Sequence, residues 1–230
     1  MNTSTTTSGL VIAIDGPAAS GKSSTARAVA GRLGYRHLDS GSFYRALTLA
    51  ALQRGIPVDR WPLLTHEELD SLHVDAVPAD GSFLVRVDGQ DVSEAIRGAD
   101  VNAHVSLMAA VPAVRGWLLE ILRETGRNGG LVADGRDIGT VVFPDADLKI
   151  FLISDPEVRA RRRLLQQGAH PDGETLRQET ERLAARDHLD QTRSIAPLVP
   201  AADAITLDTS DLSFEEQVSA VVELSRVREP

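Results

Sequence analysis

The chain has 230 residues, 42% of them hydrophobic, a formal net charge of -9 and no cysteine. That length and apolar content support one good core with smaller inserted pieces. The lack of cysteine excludes a disulfide framework, a thiolate metal site and a thiol nucleophile, and the acidic balance argues against a general nucleic-acid binder.

Residues 1–9 form a polar tail, and its stretch Asn2 to Ser8 lacks the basic and apolar regions of a signal peptide. No apolar run reaches the roughly 18 to 20 residues of a membrane span, so the expectation is a cytoplasmic protein with no membrane partner. The first strand is predicted over Val11 to Ile14, in the apolar run that starts at Leu10. Behind it stands Gly16-Pro17-Ala18-Ala19-Ser20-Gly21-Lys22-Ser23, with Ser24 following. This is a phosphate-binding loop: the glycines let several N–H groups converge on one anion, and the helix predicted over Lys22 to Arg32 adds its positive N-terminal end. Lys22 is placed to reach the β- and γ-phosphates of a nucleoside triphosphate, and a hydroxyl of Ser23 to hold the magnesium between them. Of the 24 lysine and arginine residues only Lys22 and Lys149 are lysines. One of the two thus stands where a compact ammonium on a flexible stem suits the chemistry better than a planar guanidinium.

A strand over Arg36 to Leu38 leads through a turn containing Ser40 into a helix over Ser42 to Gln53. Tyr44 and Arg45 fall about one helical turn after Ser40 and face back toward it. Together they read as a pocket for phosphate and base, or as an ordinary amphipathic surface. From about Ile56 to Asp100 the strand–helix alternation breaks. Phe83 to Val87, Asp88-Gly89 and Gln90 to Val92 predict a hairpin with a tight turn inside an insert. That insert either covers one side of the site or is decorative.

A helix over Pro112 to Thr125, with proline suited to its first turn, precedes the strand Leu131 to Ala133 and the charged loop Asp134-Gly135-Arg136-Asp137. Asp134 stands at the strand tip like a carboxylate that orients magnesium or its water. Arg136 offers a bidentate fork for phosphate and Asp137 an acceptor for an amine, unless the two simply cap the loop internally. After a strand over Leu148 to Ile153, helices over Pro156 to Gln167 and Glu174 to Leu189 are joined by the polar turn Gly168 to Gly173. They carry Arg159 to Arg163 and Arg186 to Arg193. Such a pair forms a lid that swings arginines over phosphate and excludes water, although half of the first run reads equally as a solvated face. Asp190 and Arg193, three apart, read either as site residues or as a surface pair. A last strand over Ala204 to Leu207 and a helix over Ser213 to Val227, with Ser213 and Glu216 as a capping box, complete an α/β alternation of the parallel-sheet kind.

Ile14-Asp15-Gly16-Pro17 with the loop, Leu38-Asp39-Ser40-Gly41, Tyr44-Arg45, the run Ala133 to Ala146 and Ile195-Ala196-Pro197-Leu198 resemble bacterial cytidylate kinase from about residue 10 to 224. The resemblance implies an α/β fold of the P-loop type: three α/β/α layers, a parallel central sheet, a helical lid over about residues 156–192, and an inserted monophosphate-binding subdomain over about residues 56–110 that contains the hairpin. It implies one nucleoside monophosphate kinase domain over residues 10–230, working as a monomer. The implied reaction moves the γ-phosphoryl of ATP, with Mg2+, to CMP or dCMP.

Carried over by position, the resemblance implies that Gly16 to Ser24 bind ATP, that Ser40, Arg115 and Asp137 contact cytosine, and that Tyr44, Arg45, Arg136 and Arg193 hold the monophosphate. Ser106, Arg186 and Asp190 lie near the sugar. The resemblance further implies Lys22, Arg136, Arg162 and Arg193 as the catalytic cations, with Ser23 and Asp134 expected to attend the metal. A carboxylate at the base pocket suits the exocyclic amine of cytosine and repels the oxygen that uracil carries there. Ser23-Ser24 stand where the family commonly has Gly-Thr, which leaves the metal-binding hydroxyl open. Leu189 and Gln191 stand where relatives can have further arginines. A kinase of the same fold for UMP, AMP or shikimate, and a slow nucleotide-hydrolysing switch, remain as rival readings.

Overall fold

Alternate residues of the first strand serve two different cores, which fixes the layer plan of the molecule. Ile12 and Ile14 point into one cluster with Val132, Leu148, Ile150 and Leu152, while Ala13 joins another with Leu38, Leu131 and Ala133. Strands buried on both faces are what a parallel sheet between helical layers requires.

The computed structural model describes residues 9–228, so all but the last residue of the expected N-terminal tail lies outside them. The elements in chain order are β1 (Val11–Asp15), α1 (Lys22–Leu33), β2 (Arg36–Asp39) and α2 (Ser40–Gln53), then a 3-10 turn (Val58–Leu63), α3 (His66–Asp70), β3 (Val74–Ala79), β4 (Ser82–Val87) and β5 (Gln90–Asp91). A second 3-10 turn (Ala95–Arg97), α4 (Ala99–Met108), α5 (Pro112–Gly126) and β6 (Leu131–Gly135) follow, then a π-helical turn (Ile138–Val142), β7 (Leu148–Ile153), α6 (Pro156–Gln166), α7 (Gly173–Thr192), β8 (Ile205–Asp208) and α8 (Phe214–Arg226). The strands form one sheet in the order β3-β4-β2-β6-β1-β7-β8, with β5 paired to β4. β2, β6, β1, β7 and β8 run parallel. Residues of α1 and α8 cover one face, and residues of α2, α4 and α5 cover the other.

The expected hairpin exists, but it is the short arm of a larger meander. Arg86 and Val87 pair with Asp91 and Gln90, whereas all six residues of β4 pair antiparallel with β3, across a turn in which Asp80 and Gly81 have positive φ. Pro78 obscures β3 in the sequence; it is tolerated because β3 is the edge of the sheet. A pairing of His37 with Ser82 joins the meander to β2, so the strands of the insert extend the central sheet. The insert also holds α4, which buries Val101, Val105 and Met108 at helical spacing.

Ser40, expected in a turn, is the first residue of α2. The carboxylate of Asp39 caps that helix by accepting from the Ser42 N–H at 3.2 Å, which starts the helix two residues early. Pro112 and Pro156 occupy first-turn positions, and Ser213 and Glu216 form the expected capping box.

Candidate active site

The loops after β1 and β6 and the start of α2 directly after β2 lie at the same edge of the sheet, the carboxyl end, where parallel α/β sheets bind ligands. A cleft of about 500 Å³ lies there, walled by the phosphate loop, the start of α2, the insert and the arginine-rich helices α6 and α7.

The loop is held in a conformation that only its sequence permits. Gly16 (φ 157°) lies so close to β7 that a Cβ would sit 2.4 Å from the Leu152 carbonyl, and Gly21 (φ 88°) enters α1 in the left-handed region. Ala19 is also left-handed (φ 59°), a strain that the surroundings must hold. Part of that hold is a buried ion pair: Asp187 accepts from the Ala18 N–H at 2.7 Å and from Arg159 at 2.5 Å, and Arg159 donates to the Ala18 carbonyl at 2.9 Å. Gly21 gives α1 no side-chain cap, and the first turn of α1 has no acidic residue. The N–H groups there form an anion site that the protein itself leaves unsatisfied.

Lys22 projects from this turn and donates to the Pro17 carbonyl at 3.1 Å. Burial, reinforced by the charge of Arg136, pushes its ammonium down to about 7, against the opposing pull of Asp134 and Asp39. Arg186 is pushed down to about 9 by burial and by Arg136 and Arg45, and its Nε has no hydrogen-bond partner. Nine lysine or arginine residues but only four aspartates line the cleft, a surplus of positive charge suited to a polyanion. Within the loop, Ser20 Oγ is a second buried polar atom without a partner among the described residues.

Opposite the loop, Asp134 is 1% exposed and divides its two carboxylate oxygens. Oδ2 accepts from Ser23 Oγ at 2.7 Å, and Oδ1 meets His37 Nε2 at 2.8 Å. Ser24 is exposed and makes no such contact, although it too lines the cleft. The Asp134 carbonyl accepts from Ser40 Oγ at 2.8 Å, which links the strand tip to the next pocket.

That pocket centres on Asp137. Arg115, buried on α5, donates to Asp137 Oδ2, and Arg193 donates to Oδ1 at 3.2 Å. Arg115 also lies 5.6 Å from the ring centroid of Tyr44, whose hydroxyl burial pushes up to about 12. Arg136 donates through Nε to Asp190 at 2.8 Å. Burial pushes the Asp190 carboxyl up, but the charges and bonds of Arg136, Arg186 and Arg193 outweigh it and hold it low. Asp190 and Arg193 are therefore buried partners of other residues, which overturns their reading as a surface pair. Arg136 and Asp137 do not bond to each other: Arg136 donates to Asp190 and, within the loop, to the Gly135 carbonyl at 3.5 Å.

Of the expected site residues, Ala18, Ala19, Gly21, Lys22, Ser23 and Ser24 line the cleft, as do Ser40, Tyr44, Arg45 and Ser106. Asp134, Arg136, Asp137, Arg162, Arg186, Asp190 and Arg193 line it as well. Gly16, Pro17, Ser20 and Arg115 do not line it, and Arg115 reaches the site through its bond to Asp137. Within the arginine run, Arg162 and Arg163 reach the cleft, Arg161 is exposed, and Arg159 is the buried clamp on Ala18. The sequence reading missed Arg97 and Arg182, and also Leu212, Phe214 and Gln217, which line the cleft, Gln217 beside Gly21. Phe214 and Gln217 lie on α8, some 190 residues after the loop (Gln217 and Thr25 are 192 apart), and no local signal ties them to it.

No group of three or more His, Cys, Asp or Glu among the described residues is placed to hold a metal ion, and no single described helix is long and apolar enough to cross a membrane. Magnesium keeps several water molecules and binds through one or two protein oxygens with substrate phosphates. The paired oxygens of Ser23 and Asp134 fit that mode.

A parallel sheet with a phosphate loop after its central strand and an arginine-walled cleft at its carboxyl edge defines a P-loop α/β protein of the small-kinase kind. The family model described as cytidylate kinase matches residues 12–227, and the chain belongs to that family. A relative named cytidylate kinase from Limosilactobacillus fermentum is 44% identical over 214 residues, covering 93% of this chain and 94% of its own. Another of that name from Chlorobaculum tepidum is 46% identical over 221 residues, covering 94% and 92%. Among solved structures, an uncharacterized protein from Eubacterium ventriosum superposes with a TM-score of 0.50 at 10% identity, over 95% of this chain and 98% of that one, a likeness of fold alone.

Proposed function

We propose that this chain transfers the γ-phosphoryl group of ATP to CMP or dCMP, giving ADP and CDP or dCDP. The observation that carries the reading is the convergence, in one cleft, of a phosphate loop, surplus cationic charge and a buried carboxylate pocket.

In this reading Gly16 to Ser24 cradle the ATP phosphates, with Lys22 on the β- and γ-oxygens. The acceptor base lies against Ser40, Arg115 and Asp137. Both Asp137 oxygens accept from arginines, yet each oxygen has two lone pairs, so the carboxylate still has capacity for the exocyclic amine. Arg45, Tyr44, Arg136 and Arg193 hold the acceptor phosphate. Arg136 uses Nε for Asp190 and Arg193 uses Nε and Nη2 for Ala196 and Asp137, so each keeps donors for an oxyanion. Ser106, Arg186 and Asp190 flank the sugar, and Arg162, which lines the cleft from α6, donates to Thr209 and Ser154 and must exchange those bonds to serve the transferring group. Ser23 and Asp134 would hold magnesium, which would supply charge neutralisation to the transferring phosphoryl group.

No residue has to act as a nucleophile or general base, because the acceptor is already an anion. The protein aligns two polyanions in line and offsets their repulsion. Residues 56–110 act as the monophosphate-binding insert, supported by Arg97 and Ser106 at the cleft wall, and residues 156–192 as the lid. The net charge of -9 supports small nucleotides rather than nucleic acid as partners. The same reading makes the protein a cytoplasmic monomer.

ADP release with CMP, dCMP, UMP, AMP and shikimate in parallel, with ATP and magnesium, tests the proposal. Turnover strongest with CMP or dCMP is the expected result. A preference for another acceptor overturns the base pocket, and acceptor-independent ADP release overturns the kinase reading.

A further inference from the structure

His37 is 3% exposed in the middle of β2 and its imidazole has been given no part in the chemistry so far. Its register partner on β6 is Val132, so Asp134, two residues further along, presents its side chain on the same face of the sheet, diagonally across from His37. The ring spans that diagonal and meets Asp134 Oδ1 at 2.8 Å. Oδ2 is turned toward Ser23 at the start of α1. The carboxylate is thus anchored from behind by one oxygen and aimed into the cleft by the other.

We propose that His37 is a positioning residue for magnesium: it fixes the rotamer of Asp134 so that Oδ2 faces the same point as Ser23 Oγ. The inference rests on the reading of Ser23 and Asp134 as the magnesium-orienting pair. A buried ionised carboxylate needs a donor on each oxygen; without the ring, Oδ1 is left unsatisfied and Asp134 is free to turn away. Serving an ionised Asp134 requires the hydrogen on Nε2. Partners of this kind, one bond behind a metal-orienting group, typically change metal affinity or activity about 10- to 100-fold when removed.

A purely structural histidine would affect all ligands alike, and a positioning histidine only the metal. ATP affinity is measured calorimetrically without CMP, in EDTA and in saturating magnesium, and CMP affinity alongside it. The ratio of the two ATP affinities reports the coupling to metal without any turnover. In His37→Leu the coupling is expected to fall about tenfold, with metal-free ATP affinity and CMP affinity each unchanged within about twofold. His37→Gln, whose amide can donate from a position near that of Nε2, is expected to restore it, and His37→Asn, too short to reach Asp134, is not.

Asp134→Asn serves as the control. If it leaves the coupling unchanged, the magnesium reading itself falls. If it abolishes the coupling while His37→Leu retains it, the positioning role alone is overturned. Equal losses of metal-free ATP, magnesium-ATP and CMP binding in His37→Leu also overturn it. Should His37→Leu not fold, the contrast between the Gln and Asn variants decides the question in the same terms.

Discussion

Arg193, the residue that closes α7, donates to Asp137 Oδ1 at 3.2 Å, and this contact ties the end of α7 to the loop after β6. Because Arg115 holds the other oxygen, Asp137 is a buried carboxylate whose orientation is set from two sides. Asp137→Asn replaces an acceptor with a donor. We expect kcat/KM for CMP to fall at least about 100-fold, roughly the 3 kcal/mol of a charged hydrogen bond, with the KM for ATP unchanged within about twofold. Steady-state kinetics with CMP and UMP check it, and an unchanged CMP-to-UMP ratio would contradict it.

The clamp of Arg159 and Asp187 on Ala18 gives a stability prediction. Arg159→Met leaves the Asp187 carboxylate buried and unpaired, which should cost about 3–5 kcal/mol. Urea unfolding measures the loss. The KM for ATP should rise as well, because Ala18 lies within the loop.

Gly135 sits where a side chain has no room. A Cβ there would lie 2.5 Å from Ser40 Oγ and 2.9 Å from Ile138. Gly135→Ala should displace Ser40 and raise the KM for CMP about tenfold, the effect of roughly one lost hydrogen bond, while the KM for ATP stays within about twofold. Equal rises in both constants would show general disruption.

Burial pushes the Asp15 carboxyl from its ordinary 3.8 up to about 6, against the restraining bonds from the Gly139 and Ile138 N–H groups. A raised folded value means that the native state binds the proton more tightly than the unfolded chain. The resulting stability is complete below about pH 4 and is lost as the pH rises through 6. Relative to Asp15→Asn, the wild-type protein should lose about 2 kcal/mol of unfolding free energy between pH 4 and pH 7. Denaturant melts of both proteins across that range test this; parallel profiles would contradict it.

The sequence was most readable where the signal is local. The apolar run before Gly16, the glycines of the loop and the first-turn prolines act within a few residues, and β1, α1, α5 and α6 start at or within a residue of where those signals put them. α4 carries a local signal too, Val101, Val105 and Met108 on one face, but it is diluted by Asn102, His104 and Ser106 and went unread. What composition and spacing do not encode is long-range pairing. Arg136 meets Asp190 across 54 residues and Arg193 meets Asp137 across 56. Arg159 looked like one more cation on a charged helix until Asp187 and Ala18 closed around it. His37 gave no sign, because a histidine in mid-strand acquires meaning only when the neighbouring strand brings a carboxylate to its ring.

The most direct test of the account follows the phosphoryl group itself. ATP labelled on the γ-phosphorus is incubated with the protein, magnesium and CMP, and the products are separated. The account predicts label in CDP, dependent on CMP and reduced at least about 100-fold in Asp137→Asn. Label recovered as inorganic phosphate at the same rate with and without CMP would contradict it.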